Sequence, residues 1–217
     1  MTEACKDSML RNFPIDHESF AQEPELENQV LEALHLLMTA PLSFPKDKKM
    51  LGLATIKEAE MHDFFDRFVK EDGANLNQKM VNYILHAADK IKQGCSSIGG
   101  ASYYTPDAIH TCGVVPDTIS MASTLLHEAR HSETGQHQAY IEESRTPWVP
   151  RGDIGMDGPC GWEVALLWGL MQGNDQGKEH LFDRYDIKSM IEHMDDNFAS
   201  ITGLPRALDP VVKRKEF

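Results

Sequence analysis

The stretch DTISMASTLLHEARH, Asp117–His131, decides how the chain folds around its chemistry. A proline precedes Asp117, and an aspartate in this position is typical of the N-cap of a helix. Apolar residues recur at helical spacing and predict one buried face: Met121, Leu125 and Leu126. We therefore expect a helix over about residues 117–134, with His127 and His131 on one of its faces.

The two histidines and the glutamate between them have the spacing of a metal centre. Histidines at this spacing on a helix have Cβ atoms about 5–6 Å apart, so both imidazoles can reach one zinc ion at about 2.0–2.1 Å. Glu128 points about 100° around the helix from His127, so it can act as general base toward the water on the ion. The sequence predicts one zinc ion held by His127 and His131, with Glu128 as the catalytic residue.

A catalytic zinc site takes three protein ligands, so a third ligand must lie elsewhere in the chain. We predict that this ligand is His137. A continuous helix would place residue 137 on the wrong side of the axis from His131. Gly135 lies between these two histidines and can break the helix, which allows the chain to turn back.

Two acidic residues remain as alternative third ligands, Glu163 and Asp157. Glu163 is the single charged residue in the nearly apolar segment from Cys160 to Met171. Burial of an unpaired carboxylate is costly, so we expect Glu163 to have a partner. That partner is the metal, the second N–H of a ligating histidine, or Arg130.

The run from residue 127 to 137 resembles the metzincin pattern His-Glu-x-x-His-x-x-Gly-x-x-His. The histidines and the glutamate are in place, but the glycine stands at position 135 instead of 134. The resemblance covers eleven residues. It implies a zincin metallopeptidase in which His137 completes the zinc site and Glu128 activates the zinc-bound water for peptide hydrolysis.

Two further resemblances cover parts of the same region. The run Leu125–Ser132 is similar to a group of bacterial metallopeptidases that carry His-Glu-Ala-Arg-His, and the likeness spans roughly residues 101–171. Many of those proteins are exported, which implies a periplasmic or secreted protein whose leader was removed, with the cytoplasm as the alternative. Asp157 is a ligand candidate because Asp157–Gly161 resembles the Asp-x-x-Tyr-Gly of aspzincins, with Cys160 in place of the tyrosine.

The rest of the chain predicts an α+β fold, a mostly helical zincin-like domain with a small β-sheet or hairpin. Two β-prone runs, 99–105 and 108–112, flank a Pro-Asp pair and indicate a small hairpin or two edge strands. Residues 1–24 are polar and predict an irregular N-terminal arm, and residues 25–217 predict a single catalytic domain. Further helices are predicted over about residues 25–39, 55–73, 75–92, 160–171 and 183–199. In this domain, residues 138–158 form the site loop and 160–171 the backing helix.

Bulk composition limits the class of partner. The formal net charge is −13, which argues against nucleic acid as a partner, and no apolar run is long enough to predict a transmembrane segment. The sequence leaves the oligomeric state open. The four cysteines permit two disulfides or four free thiols, and a disulfide between Cys95 and Cys112 could staple the segment between them.

The expected partner is a peptide or protein substrate, extended beside the strand near residues 103–111 and antiparallel to it. The alternative function is a non-catalytic metal-binding or interaction module on the same scaffold. Retention of Glu128 favours the enzyme, because a structural metal site needs no general base. A third reading is an all-helical scaffold in which the motif is a coincidence.

Overall fold

The computed structural model describes residues 3–40, 42, 76–97, 101–134 and, further along, positions 159, 162, 163, 165–167, 169 and 170. The chain divides into two compact units, one formed by residues 1–39 and 77–133 and the other by 40–76 and 134–217. Residues 1–24 therefore lie in the same unit as the segment that follows them. The extent of a catalytic domain stays a prediction.

Two helices and a short turn of 3-10 helix begin the first unit. Helix α1 spans Glu3–Asn12, the 3-10 turn spans His17–Phe20, and α2 spans Pro24–Thr39. The irregular arm predicted for residues 1–24 is wrong over α1. Four apolar side chains in and after α1 are buried: Met9, Phe13, Ile15 and Phe20. Burial of this kind can stabilise a helix whose own sequence only weakly favours helix formation.

Helix α2 confirms the helix predicted over residues 25–39. Its apolar residues at helical spacing are fully or almost fully buried: Leu26, Val30, Leu34 and Leu37. The helix α3 spans Leu76–Ala87, with Met80 and Ile84 buried as predicted. The prediction that this helix continues to residue 92 is wrong, because residues 90–93 form a strand. Strand pairing with a distant segment overrides the local helical pattern there.

A three-stranded sheet follows α3, formed by β1 Lys90–Gln93, β2 Tyr103–Thr105 and β3 Ala108–Thr111. The strand order is β1-β3-β2, with β1 parallel and β2 antiparallel to β3. The predicted hairpin is confirmed as β2 and β3. Strand β3 is central and all four of its residues are buried, so it is not one of two edge strands.

A disulfide joins Cys95, just after β1, to Cys112, just after β3. These two residues lie 17 apart in the sequence. The sequence did not decide whether the cysteines form disulfides or which of them pair, and the structure shows the bond between Cys95 and Cys112. The disulfide therefore holds together the ends of two neighbouring parallel strands and encloses β2 in the loop between them.

Helix α4 spans Thr118–Thr134 and confirms the helix predicted over about residues 117–134. The amide N–H of Ser120 donates to Oδ1 of Asp117 at 2.7 Å, the N-cap bond that was expected. Gln29 of α2 holds the segment before the helix, since its side-chain amide donates to the carbonyl of Val115 and accepts from the amide of Val115. Both contacts fix where α4 begins.

Helices account for 62% of the described residues, and the sheet is small, so the fold class is α+β as predicted. The sheet also excludes the all-helical scaffold. In the second unit, the described residues between 159 and 170 are helical and buried, which agrees with the predicted helix over 160–171. The helices predicted over 55–73 and 183–199 and the loop over 138–158 lie outside the described residues. In the part of the chain that the structure describes, no helix is long and apolar enough to cross a membrane.

Candidate metal centre

Helix α4 brings the two histidine rings together as the sequence predicted. The ring centroids of His127 and His131 are 5.0 Å apart and the ring planes are inclined by 70°. Two imidazoles that share one tetrahedral zinc ion, with zinc–nitrogen distances of about 2.0–2.1 Å, have centroids separated by about 5 Å. The pair therefore fits two positions of a zinc site. His131 is 3% exposed, whereas His127 is half-buried, so the pair lies at the boundary between core and surface.

Glu128 follows His127 directly and its side chain is 5% exposed. Its Oε2 atom and the Nε2 atom of His131 are buried and have no hydrogen-bond partner within the described residues, although both residues interact with others. Electrostatic interactions are stronger at such a position than in water, because the local dielectric constant is low. The motif thus combines two neighbouring imidazoles with a buried carboxylate.

The third ligand is not located by the described residues. Among them, no group of three or more His, Cys, Asp or Glu side chains is arranged to hold a metal ion. His137 and Asp157 lie outside the described part of the chain. Glu163 is described: it is 7% exposed, belongs to the second unit, and has an interaction partner, as expected for a buried carboxylate. All three residues stay candidates for the third ligand.

Arg130 lies within the motif, between the two histidines, and is 7% exposed. Its Nη1 donates a hydrogen bond of 2.9 Å to the hydroxyl of Tyr83 on α3. Its guanidinium carbon is also 5.6 Å from the centroid of the Tyr83 ring, within the range of a cation–π interaction. The sequence singled out Arg130 as a possible partner of Glu163 but missed Tyr83, because residues 47 apart show no local signal of contact.

The hairpin carries a second polar cluster, centred on His110. The His110 ring stacks on Tyr103, with centroids 4.0 Å apart and planes inclined by 12°. Its Nε2 is 3.2 Å from the hydroxyl oxygen of Thr105, which donates to Asp107 at 2.7 Å. Burial lowers the pKa of His110 and the charge of Lys92 lowers it further, while Asp107 opposes them. Burial and the charge of Lys92 thus favour the neutral form of the His110 ring, which packs within the sheet.

The outer edges of the sheet differ in what covers them. At Ile91 the outer side of β1 pairs with the chain near residue 15: the Ile91 amide donates to the carbonyl of Pro14, and the Asp16 amide donates to the carbonyl of Ile91. Strand β3 is paired on both sides. Within the described sheet, β2 is thus the strand with an outer edge that no other strand pairs.

The described residues therefore bring together His127, Glu128 and His131, which are three of the four predicted site residues. His137 is the fourth and lies outside the described residues. No family model, curated protein or solved structure matches the chain. The chemistry of these side chains carries the proposal that follows.

Proposed function

We propose that the chain is a zinc-dependent metallopeptidase, in which His127 and His131 are two ligands of one zinc ion and Glu128 is the general base. The observation that carries the proposal is the pair of imidazole rings with centroids 5.0 Å apart on one helix, with a buried carboxylate beside them. His137 is the proposed third ligand, with Glu163 and Asp157 as alternatives.

Peptide hydrolysis requires a group that polarises the scissile carbonyl and a second group that carries a proton. When bound, the zinc ion acts as a Lewis acid that lowers the pKa of a coordinated water to about 7 and polarises a carbonyl. Glu128 accepts the proton of the attacking water and transfers it to the amine nitrogen when the peptide C–N bond breaks. Because Glu128 is 5% exposed, bulk water has little access to compete for this proton.

The sheet favours a peptide as the substrate class. An extended chain can add to the outer edge of β2, antiparallel to it, and so complete the hydrogen bonds of that edge. Strand β3 is central and β1 is covered at Ile91, so this mode of binding is restricted to Tyr103–Thr105 in the described sheet. Binding of this kind uses hydrogen bonds to the peptide backbone, so the expected substrate is an extended polypeptide segment.

The first experiment measures zinc content and peptide hydrolysis of the purified protein. We expect one zinc ion per chain, lost when His127 and His131 are both replaced by alanine. Glu128→Gln keeps the zinc but lowers the hydrolysis rate by about 10²–10⁴-fold, the range typical of general acid–base catalysis. The control is Glu25→Gln, the same change at an exposed carboxylate of α2, which leaves both properties unchanged.

Each outcome separates one reading from the others. Absence of zinc from the wild-type protein removes the metal centre altogether. Zinc without hydrolysis of any peptide in a broad library supports the non-catalytic metal-binding or interaction module. Zinc together with full activity of Glu128→Gln takes the role of general base away from that residue. Zinc content of His137→Ala, Glu163→Gln and Asp157→Asn then identifies the third ligand.

A further inference from the structure

Arg130 is a buried cation inside the candidate metal motif, and this arrangement needs a physical reason. A guanidinium keeps its proton at any pH that proteins tolerate. Arg130 is 7% exposed, so the fold must hold the charge in place by contacts with its neighbours. Around the helix axis, position 130 lies about 60° from position 127 and about 100° from position 131. A contact at Arg130 therefore acts on a helix face next to the histidines.

Tyr83 of α3 contacts this guanidinium in two ways. The hydroxyl accepts the hydrogen bond from Nη1 at 2.9 Å, and the ring faces the guanidinium carbon at 5.6 Å. Tyr83 is half-buried on a helix whose neighbouring residues Met80 and Ile84 are fixed in the core. The contact therefore ties α4 to a helix that is itself anchored.

Together with the buried apolar face of α4, this contact restrains the rotation of the helix about its own axis. The spacing of His127 and His131 depends on the helix alone, but their direction toward a third ligand and a substrate depends on that rotation. Side-chain atoms lie about 5–6 Å from the axis. A rotation of about 10° therefore moves an imidazole nitrogen by about 1 Å, which exceeds the tolerance of about 0.5 Å for a functional site.

We infer that Tyr83 is a positioning residue of the metal centre, which acts through Arg130 to hold the helix rotation that presents His127 and His131 to the ion. The inference rests on the proposed zinc site and extends it by a residue outside the motif. Tyr83 is not one of the proposed zinc ligands, and it contacts Arg130 of the motif. Its effect is on the affinity for zinc, which can be measured without catalysis.

The test compares the zinc affinity of the full chain and its Tyr83→Phe variant by competition with a chromophoric chelator. Loss of the hydroxyl leaves the ring in place, and we expect zinc affinity to fall about tenfold, the lower end of the range for residues that orient metal ligands. The control is Thr118→Val, which removes the hydrogen bond of 3.3 Å from Thr118 of α4 to Glu32 of α2. Both variants lose one hydrogen bond between α4 and another helix, so a structural effect alone lowers their urea midpoints similarly, while only Tyr83→Phe weakens zinc binding.

A double variant tests whether Tyr83 acts through Arg130. In an Arg130→Lys background the guanidinium that binds Tyr83 is absent. Tyr83→Phe should then cause little further loss of zinc affinity. Equal zinc affinity of wild type and Tyr83→Phe overturns the inference and leaves the zinc site intact. Full additivity of the two substitutions also overturns it, because Tyr83 would then act by another route. A wild-type protein that binds no zinc overturns the proposed function and the inference together.

Discussion

Gly94 lies directly after β1, against the ring of His110 in β3. A Cβ atom at this position would be 2.6 Å from Nδ1 of His110 and 3.5 Å from Cγ. The ring has little room to move, because it stacks on Tyr103. The absence of a side chain at Gly94 is what allows the imidazole to pack between the end of β1 and the hairpin.

We expect Gly94→Ala to lower the free energy of unfolding by about 1–3 kcal/mol, the usual cost of overpacking a core. Urea unfolding followed by circular dichroism measures the change. Gly113→Ala is a useful comparison: Gly113 has φ 68° and open space around it, so that substitution costs about 1–2 kcal/mol through backbone strain alone.

A double variant with His110→Ala shows whether steric overlap or backbone strain causes the loss of stability in Gly94→Ala. In a His110→Ala background the colliding ring is absent, and Gly94→Ala should then cost little. An unchanged cost in that background would contradict the packing explanation. Gly113→Ala should cost the same with and without His110.

At the scale of elements, α2 and α4 were predicted well because their signals are local. Apolar residues three and four apart and an aspartate N-cap are visible in a window of a single helix. Helix α1 and strand β1 were missed because each depends on burial or pairing with a remote segment. Lys90 pairs with Ala108 and Gln93 with Thr111, and no pattern within residues 90–93 indicates that partner.

The N-cap of α4 provides a prediction at this scale. Asp117→Ala removes the acceptor for the Ser120 amide, and we expect a loss of about 1 kcal/mol in the free energy of unfolding. Asp117→Asn keeps an acceptor oxygen and should cost clearly less. Equal losses for alanine and asparagine in urea unfolding would show that the hydrogen bond of the cap contributes nothing.

At the scale of the whole molecule, the disulfide is the longest-range covalent constraint that the described residues show. It joins Cys95 to Cys112, which are separated by 17 positions in the sequence, and the closed loop contains β2 and β3. Disulfides persist mainly in oxidising compartments, so this bond agrees with the periplasmic or secreted location that the resemblance to exported proteins implies. The same bond limits how far the edge strand β2 can separate from β1.

Reduction of this disulfide should lower the free energy of unfolding by about 3 kcal/mol, since an open loop of this length gains conformational entropy in the unfolded state. Denaturation of the metal-free protein with and without a phosphine reductant measures the difference. The Cys95→Ala, Cys112→Ala double variant should have the same free energy of unfolding as the reduced protein, and the reductant should not change that value. If the reductant lowers the stability of the double variant as well, the effect of reduction does not arise from the bond between Cys95 and Cys112.

The candidate site shows the same division between local and distant information. His127, Glu128 and His131 could be read from the chain alone, because a helix sets the geometry of residues four apart without help from the rest of the fold. The contact between Tyr83 and Arg130 could not, since it joins side chains 47 residues apart.

Local periodicity and capping thus predicted the helix and the spacing of the two histidines on it. Long-range packing decided the rest: the parallel pairing of β1 with β3, the partner of Cys95, and the neighbour of the buried guanidinium. The physical reason is that helical hydrogen bonds and side-chain spacing are set within a few residues. Strand partners, disulfide partners and the contacts of buried charges depend on which distant segments the hydrophobic core brings together.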